Sequence, residues 1–343
     1  MEKVVLGLSG GVDSAVAAAL LRQQGYDVYG LFLELGLGGQ QQAQQTADAL
    51  GIPLHMAHRA PELEQHVCQY FASEYQNART PNPCVVCNRL VKFQTLADYA
   101  DEIGAKWLAT GHYARIGQDT EGRVLLMRAQ SEKDQSYMLH RLSREVLSRC
   151  IFPLGMMEDK SAVRAQAQAL GLPVAQKKDS MDVCFIPDGN WQGWLERHGV
   201  RLPEGNFIDE NGKILGRHKG LHHYTVGQRK GLGIAAEGRL FVKALRPETN
   251  EVVLSLNDVF QKEILVQQVH YCAPEYAADG TFACTVRVRY SKRAQRAVVT
   301  PCGQEARIVF EDEARAPAAG QAAVFYDGDI VIGGGFIASP GVG

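Results

Sequence analysis

The sequence predicts an α/β protein: a doubly wound parallel-sheet domain, then a small central domain and a C-terminal β-barrel. Three observations predict it. Strand-like and helix-like runs alternate through the first half of the chain. A glycine turn at residues 7–14 joins the first strand to the first helix. After about residue 190, helical periodicity gives way to short alternating strands and turns. Alternation of the first kind builds a parallel sheet with helices on both faces and puts ligand sites at the carboxyl ends of the strands.

In order, residues 4–8 read as a strand and 12–24 as a helix stopped by Gly25; 28–33 is a second strand. The helix at 40–50 ends in Gly51-Ile52-Pro53, an ending repeated at Leu170-Gly171-Leu172-Pro173. Glycine just past a helix and proline beyond it both stop growth. Residues 54–57 give a third strand, 61–75 and 90–103 helices, and 107–110 a fourth strand. Residues 207–215 fold as a hairpin around Asn211-Gly212, a dipeptide suited to a two-residue turn. Runs at 264–269, 282–290, 297–300, 306–310 and 321–326 are spaced as strands of a small barrel. The expected domains are 1–200, 201–262 and 263–338, with 339–343 a tail.

A chain of 343 residues exceeds one compact core. Its net charge of −2 excludes a generally basic nucleic-acid binder, so any such binding uses a local patch. Met1-Glu2-Lys3 runs straight into a strand, and no apolar run approaches the ~18 residues of a membrane span. The expected address is cytoplasmic, without a membrane partner. There the eight cysteines (68, 84, 87, 150, 184, 272, 284 and 302) are expected mostly reduced, a special pair being catalytic or metal-binding.

The glycine turn reads Gly7-Leu8-Ser9-Gly10-Gly11-Val12-Asp13-Ser14. A strand, a tight turn and a helix N-terminus in that order cradle a phosphate, because backbone N–H groups and the helix dipole point at the anion. Neither G-x-x-x-x-G-K-[ST] nor G-x-G-x-x-G stands behind this strand. What remains, Ser-Gly-Gly-x-Asp-Ser, resembles the PP-loop ATP pyrophosphatases. The resemblance implies an adenine nucleotide alpha hydrolase-like domain that splits ATP between its α and β phosphates and adenylates an oxygen, with Mg²⁺ beside Asp13.

Thr80-Pro81-Asn82-Pro83-Cys84-Val85-Val86-Cys87-Asn88 is a proline-stiffened turn carrying two thiols ahead of the helix expected from residue 90. A thiol near a helix N-terminus is expected to gain thiolate character. Alone, C-x-x-C is ambiguous between a zinc half-site, a redox pair and iron–sulfur ligands, and the second pair a zinc ribbon needs is absent. Cys184 follows Lys177 and Lys178, which would favour its thiolate.

These segments occur in order with Thr110-Gly111-His112-Tyr113-Ala114-Arg115, Lys133-Asp134-Gln135-Ser136-Tyr137 and Tyr224-Thr225-Val226-Gly227-Gln228-Arg229-Lys230-Gly231-Leu232-Gly233. The whole, to about residue 338, resembles the bacterial tRNA-specific 2-thiouridylase family. That family replaces the C2 oxygen of the wobble uridine with sulfur, using ATP. The resemblance implies a persulfide on Cys184, assisted by Cys87, ending in free sulfide or a Cys87–Cys184 disulfide. It places Gly111 and the main chain of Leu33 around adenosine, and Asn82, Pro83, Cys84 and His112 at a flipped-out base. Lys133, Asp134, Gln135, Arg289, Tyr290 and Gln321 would contact tRNA, with lysine, glutamate and glutamine acceptors as substrates. A cysteine desulfurase or sulfur-relay protein would supply sulfur to a monomeric enzyme.

Arg287 and Arg289 alternate along the expected strand and so share a face; with Lys292, Arg293 and Arg296 they form a cationic patch suited to phosphate. Two departures stand out. Many relatives carry Asp where Cys84 stands, and three thiolates at Cys84, Cys87 and Cys184 would instead suit a [4Fe–4S] cluster with an open iron. The glycine-rich segment 34–39 is shorter than is usual there. The competing functions are another PP-loop tRNA-modifying synthetase, which needs no paired cysteines, and an RNA-binding or iron–sulfur scaffold without turnover.

Overall fold

The computed structural model describes residues 1–172, 174–175, 183–290 and 293–338. Contacts divide the chain into two compact units. The first comprises Met1–Val67, Cys84–Pro187 and Gly328–Ile332; the second comprises Cys68–Pro83, Asp188–Asp327 and Gly333–Gly343. No helix among the described residues is long and apolar enough to cross a membrane.

The first unit is built on a five-stranded parallel sheet in the spatial order Leu54–His58, Asp27–Glu34, Lys3–Gly7, Trp107–Ala109, Cys150–Ile151. Lys3–Gly7 is central, Val4 lying opposite both Val28 and Trp107. Val4, Val5 and Leu6 are fully buried, as a central strand covered on both faces requires, each contributing about 1.5–3 kcal/mol. The helix Val12–Gln23 packs a run of alanines against this sheet, and Val163 and Ala167 of the helix Lys160–Ala169 join the same core.

Strand order reverses between Lys3–Gly7 and Trp107–Ala109. At such a switch point the loops leaving the two strands run to opposite sides and open a crevice at the strands' carboxyl ends. The loops leaving these two strands are the glycine turn and Thr110-Gly111-His112-Tyr113.

The helices expected at 61–75 and 90–103 are each interrupted by a π-helical turn, Glu64–Cys68 and Asn88–Lys92. The second is continuous with α-helix on either side, Pro83–Cys87 and Phe93–Glu102. The thiols Cys84 and Cys87 therefore lie inside the helix rather than on a turn ahead of it. A hairpin of Ala114–Gln118 and Val124–Arg128 had no separate sequence signal.

In the second unit, Phe241–Arg246, Glu251–Ser255, Gly205–Ile208 and Ile214–His218 form one sheet in that order. Its core holds Phe207, Leu221, Tyr224, Val242, Val252 and Leu254. The expected hairpin around Asn211-Gly212 is present. The C-terminal strands close into a six-stranded barrel, ordered Phe260–Tyr271, Glu305–Arg315, Gln295–Cys302, Phe282–Arg287, Ala322–Asp327, Ile330–Ile337 and back to Phe260–Tyr271. Closure removes the unpaired edges that invite aggregation. One expectation is corrected here. The strand at 282–290 stops at Arg287, so Arg289 does not alternate with Arg287 on one strand face. Its guanidinium instead donates to the carbonyls of Ala316 (3.0 Å) and Val226 (2.6 Å), tying it into the body of this unit. Lys292 lies outside the described residues.

Candidate active site

The glycine turn has the geometry of an anion cradle. Gly10 takes φ +70°, in the left-handed region that favours glycine, and a Cβ there would stand 2.7 Å from the Gly39 carbonyl oxygen. Gly11 caps the helix Val12–Gln23 in extended geometry without a side-chain cap, leaving that helix's first N–H groups for a ligand. Ser14, buried, donates to the Gly11 carbonyl at 3.0 Å and its hydroxyl accepts from the Ser9 N–H at 3.2 Å, so the loop is held by its own residues. The short segment after Leu33 ends at Gly39, whose backbone packs on Gly10 and starts the helix Gln40–Leu50.

Asp13 accepts three hydrogen bonds on its carboxylate from two donors. The Tyr113 hydroxyl donates at 2.8 Å, and the Lys160 ammonium sits 2.7 and 2.6 Å from the two oxygens. Lys160 escaped sequence reasoning, because nothing local marks a lysine that meets residue 13. Gly111 presses on the same place: a Cβ there would lie 2.8 Å from both the Asp13 carbonyl carbon and the Ser14 nitrogen. Both are backbone atoms, so no rotamer change relieves the clash. A Gly111→Ala variant is expected to lose about 1–3 kcal/mol of stability and at least ~10-fold in ATP affinity, read by thermal melting and equilibrium dialysis. Leu33, the other expected adenosine contact, is half-buried at the carboxyl end of Asp27–Glu34.

The sulfur-bearing residues gather around Lys92. An α-helix would turn residue i+5 about 140° away from residue i. The π turn Asn88–Lys92, bonded i to i+5, brings Lys92 back over Cys87. Cys87 is buried, whereas Cys84 and Cys184 keep solvent access. Cys184 lies in a turn closed by the Ile186 N–H on the Val183 carbonyl (2.9 Å) and anchored by buried Phe185 and Ile186. All three thiols are free. Burial pushes Cys87 up to about 11 against the pull of Lys92, with Cys184 and Cys84 adding to the rise. Desolvation also raises Cys84, although its side chain keeps some solvent access. The expected thiolate character at the helix start is thus corrected: desolvation outweighs the pull of Lys92. Burial alone would lower Lys92, but Cys87, Cys84 and Cys184 hold it above its ordinary value. Lys177 and Lys178 lie outside the described residues.

His112 joins the two halves of this unit's site. Its Nδ1 is 2.8 Å from the Thr110 hydroxyl, and its ring is stacked on Phe93 and set edge-on to Phe152. Burial, with the Lys92 charge adding, pushes it down to about 3. The ring is therefore neutral at working pH and acts as a hydrogen-bonding wall rather than an imidazolium. Between pH 6.5 and 3 the unfolded chain takes a proton at this residue that the folded chain refuses. The contribution is fully present above pH 6.5 and falls by about 2 kcal/mol at pH 5. Urea unfolding at pH 7.5 and 5.0 should show that His112→Asn loses correspondingly less stability on acidification than the parent.

The remaining expected contacts fall in two groups. In the first unit, Lys133 is exposed, but Asp134 is buried, its Oδ1 accepting from the N–H groups of Ala129 and Ser136 (both 3.1 Å). Gln135 accepts from the Tyr113 N–H at 3.0 Å. Asp134 and Gln135 thus shape the loop that presents Lys133 and braces Tyr113. In the second unit, the Gln321 amide donates to the carbonyls of Thr80 (3.0 Å) and Pro81 (3.2 Å). The Thr80 N–H donates to the Ala319 carbonyl at 2.8 Å. Gln321 therefore holds the turn that leads to buried Asn82 and Pro83. Tyr290 follows the end of its strand and is half-buried.

Family models match in series: the tRNA methyl transferase HUP domain over residues 2–188, the tRNA methyl transferase PRC-barrel domain over 192–256 and the aminomethyltransferase beta-barrel domain over 261–337. The chain is 43% identical to the tRNA-specific 2-thiouridylase MnmA of Lachnoclostridium phytofermentans, across 98% of this chain and 99% of that protein. It is 39% identical to the protein of the same name from Clostridioides difficile, across 98% of each. Among solved structures, a 4-thiouridine synthetase–RNA complex with bound ATP aligns at 20% identity and TM-score 0.37, over 57% of this chain and 50% of that one. A likeness so slight carries no argument.

Proposed function

The chain belongs to the tRNA-specific 2-thiouridylase family, and on that premise we propose that it uses ATP to replace the C2 oxygen of the wobble uridine of tRNA with sulfur. One observation carries the reading: a single loop joins the phosphate cradle to the thiols. Gly111 abuts Asp13 and Ser14, Tyr113 donates to Asp13, and His112 between them feels the charge of Lys92, which acts on Cys87. Some of the matching domains are labelled methyl transferase. A phosphate cradle next to paired thiols suits oxygen activation and sulfur transfer instead.

The chemistry balances as follows. The uridine O2 attacks the α-phosphorus of ATP; the bond from that phosphorus to the β-phosphate oxygen breaks, and pyrophosphate leaves along the cradle. The nucleoside now carries AMP at C2, a far better leaving group than oxide. Cys184, exposed on its turn, accepts a persulfide from a desulfurase or sulfur-relay protein. Its terminal sulfur attacks C2 and AMP departs with the original oxygen. The Cys87 thiolate then attacks Cys184 Sγ, the Cys184 sulfur–sulfur bond breaks, and the C2 thiocarbonyl forms with a Cys87–Cys184 disulfide. The Cys87 proton passes to solvent, and an external dithiol resets the pair. Free hydrosulfide, released by the same attack before transfer, would give the same products.

Mg²⁺ would use the Asp13 carboxylate together with substrate phosphates, neutralising their charge; one carboxylate suffices for such a site, provided Lys160 yields it. A [4Fe–4S] cluster on Cys84, Cys87 and Cys184 is the alternative sulfur carrier. The thiol route balances without one. Nucleosides from the tRNA of a strain lacking this protein, separated by mass spectrometry, should contain no 2-thiouridine derivatives. Their persistence would overturn the assignment.

A further inference from the structure

Residues 7–14 contain no basic side chain, whereas the commoner phosphate loop carries its own lysine for the β and γ phosphates. A polyphosphate entering this cradle meets N–H groups and the carboxylate of Asp13, which would repel it unless a cation intervenes. Lys160 stands at that carboxylate. Its ammonium lies 2.7 and 2.6 Å from the Asp13 oxygens, and its side chain is only 15% exposed. It is the first residue of the helix Lys160–Ala169, whose start is fixed by Asp159 accepting from the Ala162 N–H at 2.8 Å, and whose Val163 and Ala167 sit in the core shared with the phosphate-loop helix. The ammonium is therefore delivered by rigid structure, not by a wandering surface chain.

We propose that Lys160 is the polyphosphate-binding cation missing from the glycine loop, paired with Asp13 and handed to the leaving pyrophosphate part of ATP when the nucleotide enters. Asp13 keeps the Tyr113 hydroxyl during the exchange and becomes available to Mg²⁺. This rests on the ATP reading above and adds to it a residue and a phosphate position.

The test is equilibrium dialysis of ATP and of AMP, each with Mg²⁺ and without tRNA, against the parent, Lys160→Met, Lys160→Gln and Lys160→Arg proteins. Lys160→Met and Lys160→Gln should lose about 10- to 100-fold in ATP affinity and under about threefold in AMP affinity, with Lys160→Arg recovering most of the loss. Equal weakening of ATP and AMP would show that Lys160 only supports the loop through Asp13, and unchanged ATP binding would remove it from the site; either overturns the proposal. A parent protein that binds neither nucleotide would instead sink the ATP reading and this assignment with it. Thermal melting of each variant, with the Gln variant standing in should the Met variant not fold, separates lost binding from lost structure.

Discussion

Replacing Cys184 by serine is expected to lower 2-thiouridine formation by at least ~10³-fold while leaving single-turnover pyrophosphate release from ATP and tRNA within about threefold of the parent. Cys184 is exposed on a turn anchored by Phe185 and Ile186, so trading sulfur for oxygen there disturbs no packing; only the atom that carries the persulfide is lost. Cys87→Ser should abolish thiolation as well, but with a structural cost. Cys87 is 5% exposed, and a buried hydroxyl without a partner costs about 1–3 kcal/mol. Because the two thiols act on one sulfur atom, the double variant should be no slower than the worse single variant. Additive losses would mean that the cysteines act independently rather than on one sulfur atom.

Asp13→Asn is expected to fail at the opposite end of the reaction. Pyrophosphate release itself should fall by at least ~100-fold, and a persulfide preloaded on Cys184 should remain there untransferred. The carboxylate accepts from Tyr113 and pairs with Lys160. An amide of the same shape keeps the Tyr113 bond but leaves a largely buried ammonium facing a neutral group, at a cost of about 1–3 kcal/mol. The two variants together dissect the reaction: pyrophosphate without thiouridine for Cys184→Ser, neither for Asp13→Asn. A normal pyrophosphate burst from Asp13→Asn would remove Asp13 from the activation step.

Much of this was legible in the sequence, for identifiable reasons. The glycine turn is local, and its strand–turn–helix setting is fixed by the apolar run before it and the alanine-rich helix after it. The closed barrel followed from period-two alternation. What stayed hidden depends on distance or on helix register. Lys160 meets Asp13 only because one helix packs on another. Asp134 and Gln135 entered only through the family resemblance, because charge alone does not reveal a carboxylate hydrogen-bonded to its own loop's N–H groups. Arg289 read as part of a strand face because alternation continues past Arg287 in the sequence, whereas the backbone hydrogen bonds do not.

The π turn at Asn88–Lys92 makes the thiol chemistry sensitive to an unusual class of change. Substitutions along Phe93–Glu102 alter side chains but keep every residue at its angle around the axis. Relaxing residues 88–92 into regular α-helix at unchanged length would turn everything beyond them by about 100° relative to Cys84 and Cys87. Phe93 would leave the His112 ring and Lys92 would leave the thiols in one step, with no residue gained or lost. Deleting one residue along with that change would leave the angle nearly as it is, since the fourth residue of an α-helix and the fifth of a π turn both return to the starting face. The helix type between the C-x-x-C pair and that lysine therefore decides which side chains face the thiols.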